Sequence, residues 1–251
     1  MTRIIMCGCG GKMGQVITGL VKDDADAVIV AGVDPAYAGA SAYPVFASIE
    51  ECDVPADVVI DFSSPKALDG ILKAAKEKKL AAVLCTTGYS AEELDKVKEA
   101  AKECAILRSA NMSLGVNTIM KLVQEAAKVL AAADFDIEIV EKHHNQKVDA
   151  PSGTALALAD AVNEALENVY SYTYDRSAER RKREKTEIGI SAVRGGTIVG
   201  EHEVIFAGTD EVIEIKHTAY SKAIFGKGAV SAAKFLAGKA PGLYTMKDVI
   251  G

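Results

Sequence analysis

The residues with the most chemistry to offer fall in one stretch, Glu141-Lys-His143-His144-Asn-Gln-Lys147-Val-Asp149-Ala-Pro151-Ser152-Gly153-Thr154-Ala155. His143, His144 and Lys147 place three possible cations within five residues, just after a segment that alternates as a strand. Ser152-Gly153-Thr154 follows as a predicted helix start, where unpaired N–H groups and hydroxyls make an anion site. A cationic cluster beside a helix N-terminus suits a small dicarboxylate, and a histidine there can move a proton near neutral pH. Two other readings of the histidine pair stand beside this one. A metal site is disfavoured, because no Cys or further His is close in sequence and adjacent residues rarely ligate one ion well. Purely structural histidines are the remaining alternative.

A second chemical signal lies near the start. An apolar strand run, Arg3 to Cys7, breaks into Gly8-Cys9-Gly10-Gly11-Lys12-Met13-Gly14, after which apolar residues recur at helical spacing. Such a turn lets backbone N–H groups approach a dinucleotide pyrophosphate at a helix N-terminus. The spacing is not a strict GxGxxG, because Met13 stands where the third glycine is expected and Gly14 follows one residue late. Strand, turn, helix and a second strand (Val28 to Val33) ending on Asp34 nevertheless occur in the required order, and Asp34 is placed to take the ribose hydroxyls. The alternative is a tight turn beside a surface aspartate.

Two kinds of element are predicted to position these residues. Up to residue 110, strands at Arg3–Cys7, Val28–Val33, Asp57–Phe62, Ala81–Cys85 and Ala105–Leu107 alternate with helices. One helix runs from Pro65, with Ser64 as N-cap, to about Lys79, and Ser90 to Glu93 reads as a capping box. This rhythm implies a parallel sheet covered on both faces. Beyond residue 110, a helix over Val116–Leu130, a strand over Phe135–Glu141 and a helix from Ser152 to about Leu166 precede three strands with no helix between them, Ile188–Val193, Ile198–Phe206 and Glu211–His217. That block predicts a second, α+β domain with an antiparallel or mixed sheet and helices on one face. A last helix, about Ala229–Leu236, could cover either domain.

Composition narrows the classes. With 251 residues, 49% apolar and 25% charged, the chain can bury a sizeable core and is not of disordered or collagen-like type. No apolar run approaches a bilayer span, and the N-terminus lacks a signal peptide's long apolar segment, so no membrane association and a cytoplasmic address are expected. A net charge of −6 argues against a nucleic-acid partner. The run Arg176 to Lys185 carries six basic and two acidic residues with no interleaved aromatics, and reads as a solvated loop or helix face. Cys7, Cys9, Cys52, Cys85 and Cys104 show no paired spacing and read as reduced core thiols.

The segment EKHHNQKVDAPSGTA is similar to the signature of the dihydrodipicolinate reductase family. The likeness extends through GCGGKMG, DFSSP at 61–65, TTG at 86–88, SANMSLGVN at 109–117, RGGTIVGEHEVIF at 194–206 and the GKGAVSAAKFL tail. It implies a Rossmann-type domain formed by 1–111 with about 224–251, and a substrate-binding and tetramer-forming domain over about 112–223. It implies NADH or NADPH as cofactor, no metal, and a homotetramer. Carried over by position, Gly8, Cys9, Gly10, Gly11, Lys12 and Met13 would hold the pyrophosphate and Asp34 the adenosine ribose. Cys85, Thr86 and Thr87, with Ser109, Ala110, Asn111 and Met112, would line the nicotinamide half. His143 matches the proton donor, Lys147 the second catalytic residue, and His144, Gly153 and Thr154 contacts to substrate carboxylates. Lys12, Cys85, Met112 and Lys222 depart from the arginine, glycine, phenylalanine and arginine usual there.

The implied chemistry is reduction of a conjugated cyclic imine, with a hinge between domains near 111–116 and 217–226. Asp34 followed by Pro35, Ala36 and Tyr37 offers no cation for a 2′-phosphate, so NADH is expected to be preferred, with Lys12 as the one compensating charge. Two rivals remain: another two-domain nicotinamide dehydrogenase, which leaves HHNQKVDAPSGT unexplained, and a non-catalytic NAD(P)H-sensing protein, against which His143 and Lys147 speak.

Overall fold

A computed structural model describes residues 1–174, 176–177 and 180–251. The chain divides into two compact units, Met1–Leu114 with Ala223–Gly251, and Gly115–Lys222.

The first unit is built on a seven-stranded parallel sheet. Its strands are β1 (Thr2–Cys7), β2 (Ala27–Val33), β3 (Val45–Phe46), β4 (Val58–Asp61), β5 (Ala81–Leu84), β6 (Ala105–Arg108) and β12 (Gly242–Tyr244), in the spatial order β12-β6-β5-β4-β1-β2-β3. Alternation along β1 explains the two covered faces. Ile4 and Met6 pack with Ile17 and Val21 of α1 (Lys12–Val21) and with Ala229, Ala233 and Leu236 of α6 (Ala223–Leu236). Ile5 and Cys7 face the other way, onto Leu68, Ile71 and Ala75 of α2 (Leu68–Glu77) and Val97 of α3 (Ala91–Ala100). Buried on both sides, such strands read as unbroken apolar runs. Because β2 and β4 flank β1, the chain reverses its direction of travel across the sheet there, leaving a crevice at the strands' C-terminal ends.

Ser90 and Glu93 form the expected capping box, with Glu93 N–H donating to Ser90 Oγ at 3.2 Å and Ser90 N–H to Glu93 Oε2 at 2.6 Å. Ser64 behaves differently. Its side chain makes no capping bond, and Pro65–Ala67 is a 3-10 turn that leads into α2, which stops at Glu77 because Lys79 takes a positive φ of 54°. The closing helix begins at Ala223 and belongs to the first unit.

The second unit carries a five-stranded mixed sheet of β7 (Asp136–His143), β8 (Ser171–Thr173), β9 (Glu187–Arg194), β10 (Gly200–Ala207) and β11 (Val212–Ala219), ordered β11-β10-β7-β9-β8. Strand β10 runs antiparallel to β7 and β11, while β9 is parallel to β7 and β8. One face packs Ile137, Ile139, Ile188, Ile190, Val204 and Phe206 against α4 (Leu114–Leu130) and α5 (Gly153–Ala165). The sequence places the end of β7 at Glu141; the ladder instead continues two residues to His143, held by pairing with Arg194 of β9. Strands β3, β8 and β12 and the short α7 (Met246–Ile250) were not legible, since two to five residues cannot display a period.

Within the run 176–185, Ala178 and Glu179 lie outside the described residues. The rest is exposed apart from half-buried Arg183, as expected of a solvated segment, and three of its arginines find acidic partners. Arg183 reaches Glu138 at 3.0 Å and Asp136 at 2.9 Å, and Arg176 and Arg181 pair with Glu187. All five cysteines are free and buried.

Candidate active site

In the first unit every strand points the same way, so the segments after β1, β2, β4, β5 and β6 share one edge of the sheet. Gly8 has φ +79°, and a Cβ there would stand 2.6 Å from the Phe62 carbonyl oxygen; a Cβ on Gly14 would stand 2.6 Å from Cys9 Cα. The turn is therefore compressed to a form that only glycine permits at both points. Gly11 is the N-cap of α1 and supplies no side-chain acceptor, and no acid lies in the first turn. Its N-terminal amides and partial positive charge are thus left for an anion. Asp34 is held over the turn by Gly10 N–H to Oδ2 and Ala36 N–H to Oδ1, each 3.0 Å. A cavity of about 600 Å³ opens here, lined by Gly8, Gly11, Asp34, Pro35, Phe62 and Lys66 among others.

The other sequence-predicted cofactor residues are distributed by burial. Cys9 is fully buried with its sulfur against Gly32, so only its backbone serves the turn. Lys12 is exposed and Met13 half-buried at the start of α1. Cys85 and Thr86 are buried just past β5, and Thr87 is exposed. Thr86 Oγ1 is buried with no hydrogen-bond partner among the described residues, while the neighbouring Tyr89 hydroxyl donates to Asp61 Oδ2 at 3.1 Å. Ser109 and Asn111 fold the segment after β6 into a turn, with Ser109 Oγ donating to the Asn111 carbonyl at 2.8 Å; Ala110 is exposed, and the carbonyl of buried Met112 lies against Gly228. An uncapped helix start after a glycine turn, an anchored carboxylate and a buried hydroxyl with no partner among the described residues, on one sheet edge, fit a nicotinamide dinucleotide.

The second unit organises its polar residues on strands. Glu141 and His143, two apart on β7, share a face, and His143 Nδ1 lies 2.6 Å from Glu141 Oε2. Arg194 forks onto the same carboxylate at 2.8 and 2.7 Å and also donates to the Asp149 carbonyl at 2.7 Å. Ser152 donates its N–H to Glu141 Oε1 at 2.9 Å and caps α5 by accepting from Ala155 N–H at 3.2 Å. Its hydroxyl lies 3.0 Å from His202 Nε2. Gly153 and Thr154 open the helix, with Gly153 exposed. His144 is half-buried in the turn after β7, and Lys147 pairs with Asp149 at 2.7 Å.

Burial pushes the Glu141 carboxyl up, but hydrogen bonds from Arg194, His143 and the Ser152 N–H outweigh it and leave the group below its usual range. Burial, followed by the neighbouring His143, lowers His202 to about 4, so it is a neutral imidazole near pH 7. The Lys147 ammonium holds Asp149 below its usual value. The sequence puts His143, His144, Lys147, Ser152, Gly153 and Thr154 in one segment; the structure adds Glu141, Arg194 and His202 around His143 and Ser152. Glu141 was within reach of a period-2 argument had β7 been extended to His143. Arg194 and His202 come from other strands and carry no local signal. Among the described residues no group of three His, Cys, Asp or Glu is placed to hold a metal ion, and no helix is long and apolar enough to cross a membrane.

Models of the N-terminus and the C-terminus of dihydrodipicolinate reductase match residues 2–112 and 115–250. The chain belongs to the dihydrodipicolinate reductase family. It is 54% identical over 250 residues to 4-hydroxy-tetrahydrodipicolinate reductase of Caldanaerobacter subterraneus subsp. tengcongensis, covering 100% of this chain and 98% of that one. The protein of the same name from Clostridium novyi is 52% identical with the same coverage. The fold is shared with a dipicolinate-bound dihydrodipicolinate reductase from Paenisporosarcina sp. TG-14, at TM-score 0.84 and 24% identity over the whole of both chains.

Proposed function

We propose that this chain reduces 4-hydroxy-tetrahydrodipicolinate to tetrahydrodipicolinate with NAD(P)H, a step of diaminopimelate and lysine biosynthesis. The observation that carries the reading is the arrangement of His143, Lys147 and the start of α5 within one segment, with His143 backed by Glu141. The first unit's residues would hold the cofactor: the Gly8–Met13 turn with the start of α1 its pyrophosphate, Asp34 its adenosine ribose, and residues 85–87 and 109–112 its nicotinamide half. Bound NAD(P)H supplies the hydride. In the second unit, Lys147, His144 and the Gly153 and Thr154 amides would hold the substrate carboxylates, where attraction strengthens as water is excluded. Electron density pushed toward the imine nitrogen leaves an enamine that must be protonated at carbon, and His143 Nε2–H is the donor. NADH is the better cofactor, because no cation follows Asp34; the working form is a homotetramer, as family resemblance implies, and its expected address is the cytoplasm.

The test is oxidation of NADH and NADPH, side by side, with the ring substrate. Turnover in the ordinary enzyme range of roughly 1–10³ s⁻¹ is expected. Oxidation no faster than without substrate would overturn the assignment and favour a nucleotide sensor.

A further inference from the structure

In the second unit, one buried carboxylate collects four donors from three places in the fold. Glu141 is fully buried on β7. Its Oε2 faces His143 Nδ1 at 2.6 Å and one Arg194 nitrogen at 2.8 Å; its Oε1 faces the other Arg194 nitrogen at 2.7 Å and Ser152 N–H at 2.9 Å. Four donors fill a carboxylate's acceptor capacity, which is the condition for keeping a charge inside a protein. Strand register creates the meeting point: His143 is paired with Arg194 on β9, and Glu141 is opposite His202 on β10.

We propose that Glu141 is a positioning residue for the reaction: it holds the His143 ring so that Nδ1 keeps its proton and Nε2 is the nitrogen that gives one up, and it ties the start of α5 to the same point. This rests on the assignment of His143 as proton donor. A carboxylate only accepts, so the nitrogen facing it carries hydrogen whether the ring is charged or neutral. The opposite ring orientation would put a carbon 2.6 Å from a carboxylate oxygen, inside van der Waals contact. On the far side, a Cβ on Gly200 would stand 3.1 Å from His143 Nε2, so the missing side chain keeps that nitrogen clear. The His202 ring stands edge-on to His143 at 5.0 Å, and burial keeps it neutral, so it adds no competing charge. Arg194 neutralises Glu141, which lets the carboxylate orient the ring without leaving an uncompensated buried charge.

The proton step balances. The Nε2–H bond breaks and its electron pair stays on Nε2, while the enamine carbon's pair forms the new C–H bond. The ring loses its positive charge and retains Nδ1–H against Glu141. Through Ser152 N–H the same carboxylate fixes the residue that caps α5, whose next two amides are assigned to the substrate carboxylate. Proton donor and anion holder are thereby referenced to one buried group.

The experiment uses the full chain, with nitrogen NMR of the His143 ring at alkaline pH and steady-state kinetics of Glu141→Gln and Arg194→Lys. Wild type should show Nδ1 protonated and Nε2 bare. Glu141→Gln should lose that preference and lower kcat roughly 10–100-fold, the range for loss of a group that orients a functional ligand, with the KM for NADH within about twofold. Arg194→Lys keeps the charge without the fork; it should retain the Nδ1–H tautomer and lose less activity than Glu141→Gln. A protonated Nε2 in the neutral wild-type ring would overturn the proposal, and so would a folded Glu141→Gln with wild-type kcat. A merely structural Glu141 would lower Tm and leave the tautomer and the kcat per folded site unchanged. If Glu141→Gln does not fold, the wild-type spectrum and Arg194→Lys still decide. The tautomer is read without turnover, so active His143→Gln would remove the donor assignment while a bare wild-type Nε2 would still support the positioning by Glu141.

Discussion

The two sheets do their work in different ways. In the first unit β4 and β5 are buried at every position, whereas in the second β7 and β10 alternate between buried and half-buried. A sheet covered on both faces leaves little strand for polar side chains, with Asp61 at the very end of β4, so its candidate binding groups lie in the turns past the strand ends and are largely backbone. The second sheet carries Glu141, His143 and His202 on its buried face, with Arg194 at the end of β9, so that register sets the distances between them. The first unit is suited to holding a ligand and the second to moving a proton.

That contrast is broken or kept most sharply by His143→Gln and Gly14→Ala. Removing the proposed proton donor should lower kcat by roughly 10²–10⁴-fold and leave NADH binding unchanged. More than half of wild-type kcat in His143→Gln would end its role. Gly14→Ala should do the reverse. A Cβ forced 2.6 Å from Cys9 Cα must open the turn, a strain of about 1–3 kcal/mol, so NADH affinity measured by calorimetry should fall roughly 10–100-fold. Unchanged affinity would mean that the turn does not hold the cofactor.

The same contrast explains what could be read from the sequence. Gly8 to Gly14 and Asp34 act through local backbone form, and local form is written in consecutive residues. The parallel sheet was equally legible, since Val58–Ile60 and Ala81–Cys85 are unbroken apolar runs. In the second unit His143, Lys147 and Ser152 were legible because they share one segment. Arg194 lies 53 residues from Glu141 and meets it only through the β7–β9 pairing, and His202 reaches Ser152 across 50 residues. Nothing in the spacing of residues reports strand register, and that is why the buried network around His143 was missed.

A smaller effect should separate the two units in acid. His202 is lowered to about 4 by burial first, and is a base whose unfolded form protonates near 6.5. Between those values the unfolded chain binds more protons than the folded one, so stability falls as pH drops through that window. From pH 7 to 5 the loss is about 2 kcal/mol. Glu141, whose carboxyl is depressed, contributes stability above its unfolded value near 4.5 that is lost only as pH falls below it, so its loss begins where that of His202 is nearly complete. Urea unfolding of His202→Gln should therefore show a pH 7-to-5 loss smaller than wild type by about that 2 kcal/mol. Equal losses would place the acid sensitivity elsewhere.

The smallest effect expected is on cofactor choice, and it tests whether a site built mainly from backbone can discriminate at all. Asp34 is fixed by Gly10 and Ala36 amides, so it cannot swing away from a 2′-phosphate; it would accept from ribose hydroxyls and repel the dianion. The next residues, Pro35, Ala36 and Tyr37, bring no cation. The sequence offered Lys12 alone as compensation, but Lys66 also lines the cavity that Asp34 faces. Each lysine is a flexible point charge rather than arginine's fork, and a solvent-exposed charge contact of that kind is worth about 1 kcal/mol or less. The preference for NADH should accordingly be modest, roughly 3–10-fold in kcat/KM, and Pro35→Arg should narrow or reverse it. Lys66→Ala should widen it, by selectively weakening NADPH. An NADPH preference in the unmodified protein, lost in Lys66→Ala, would show that this lysine dominates over Asp34.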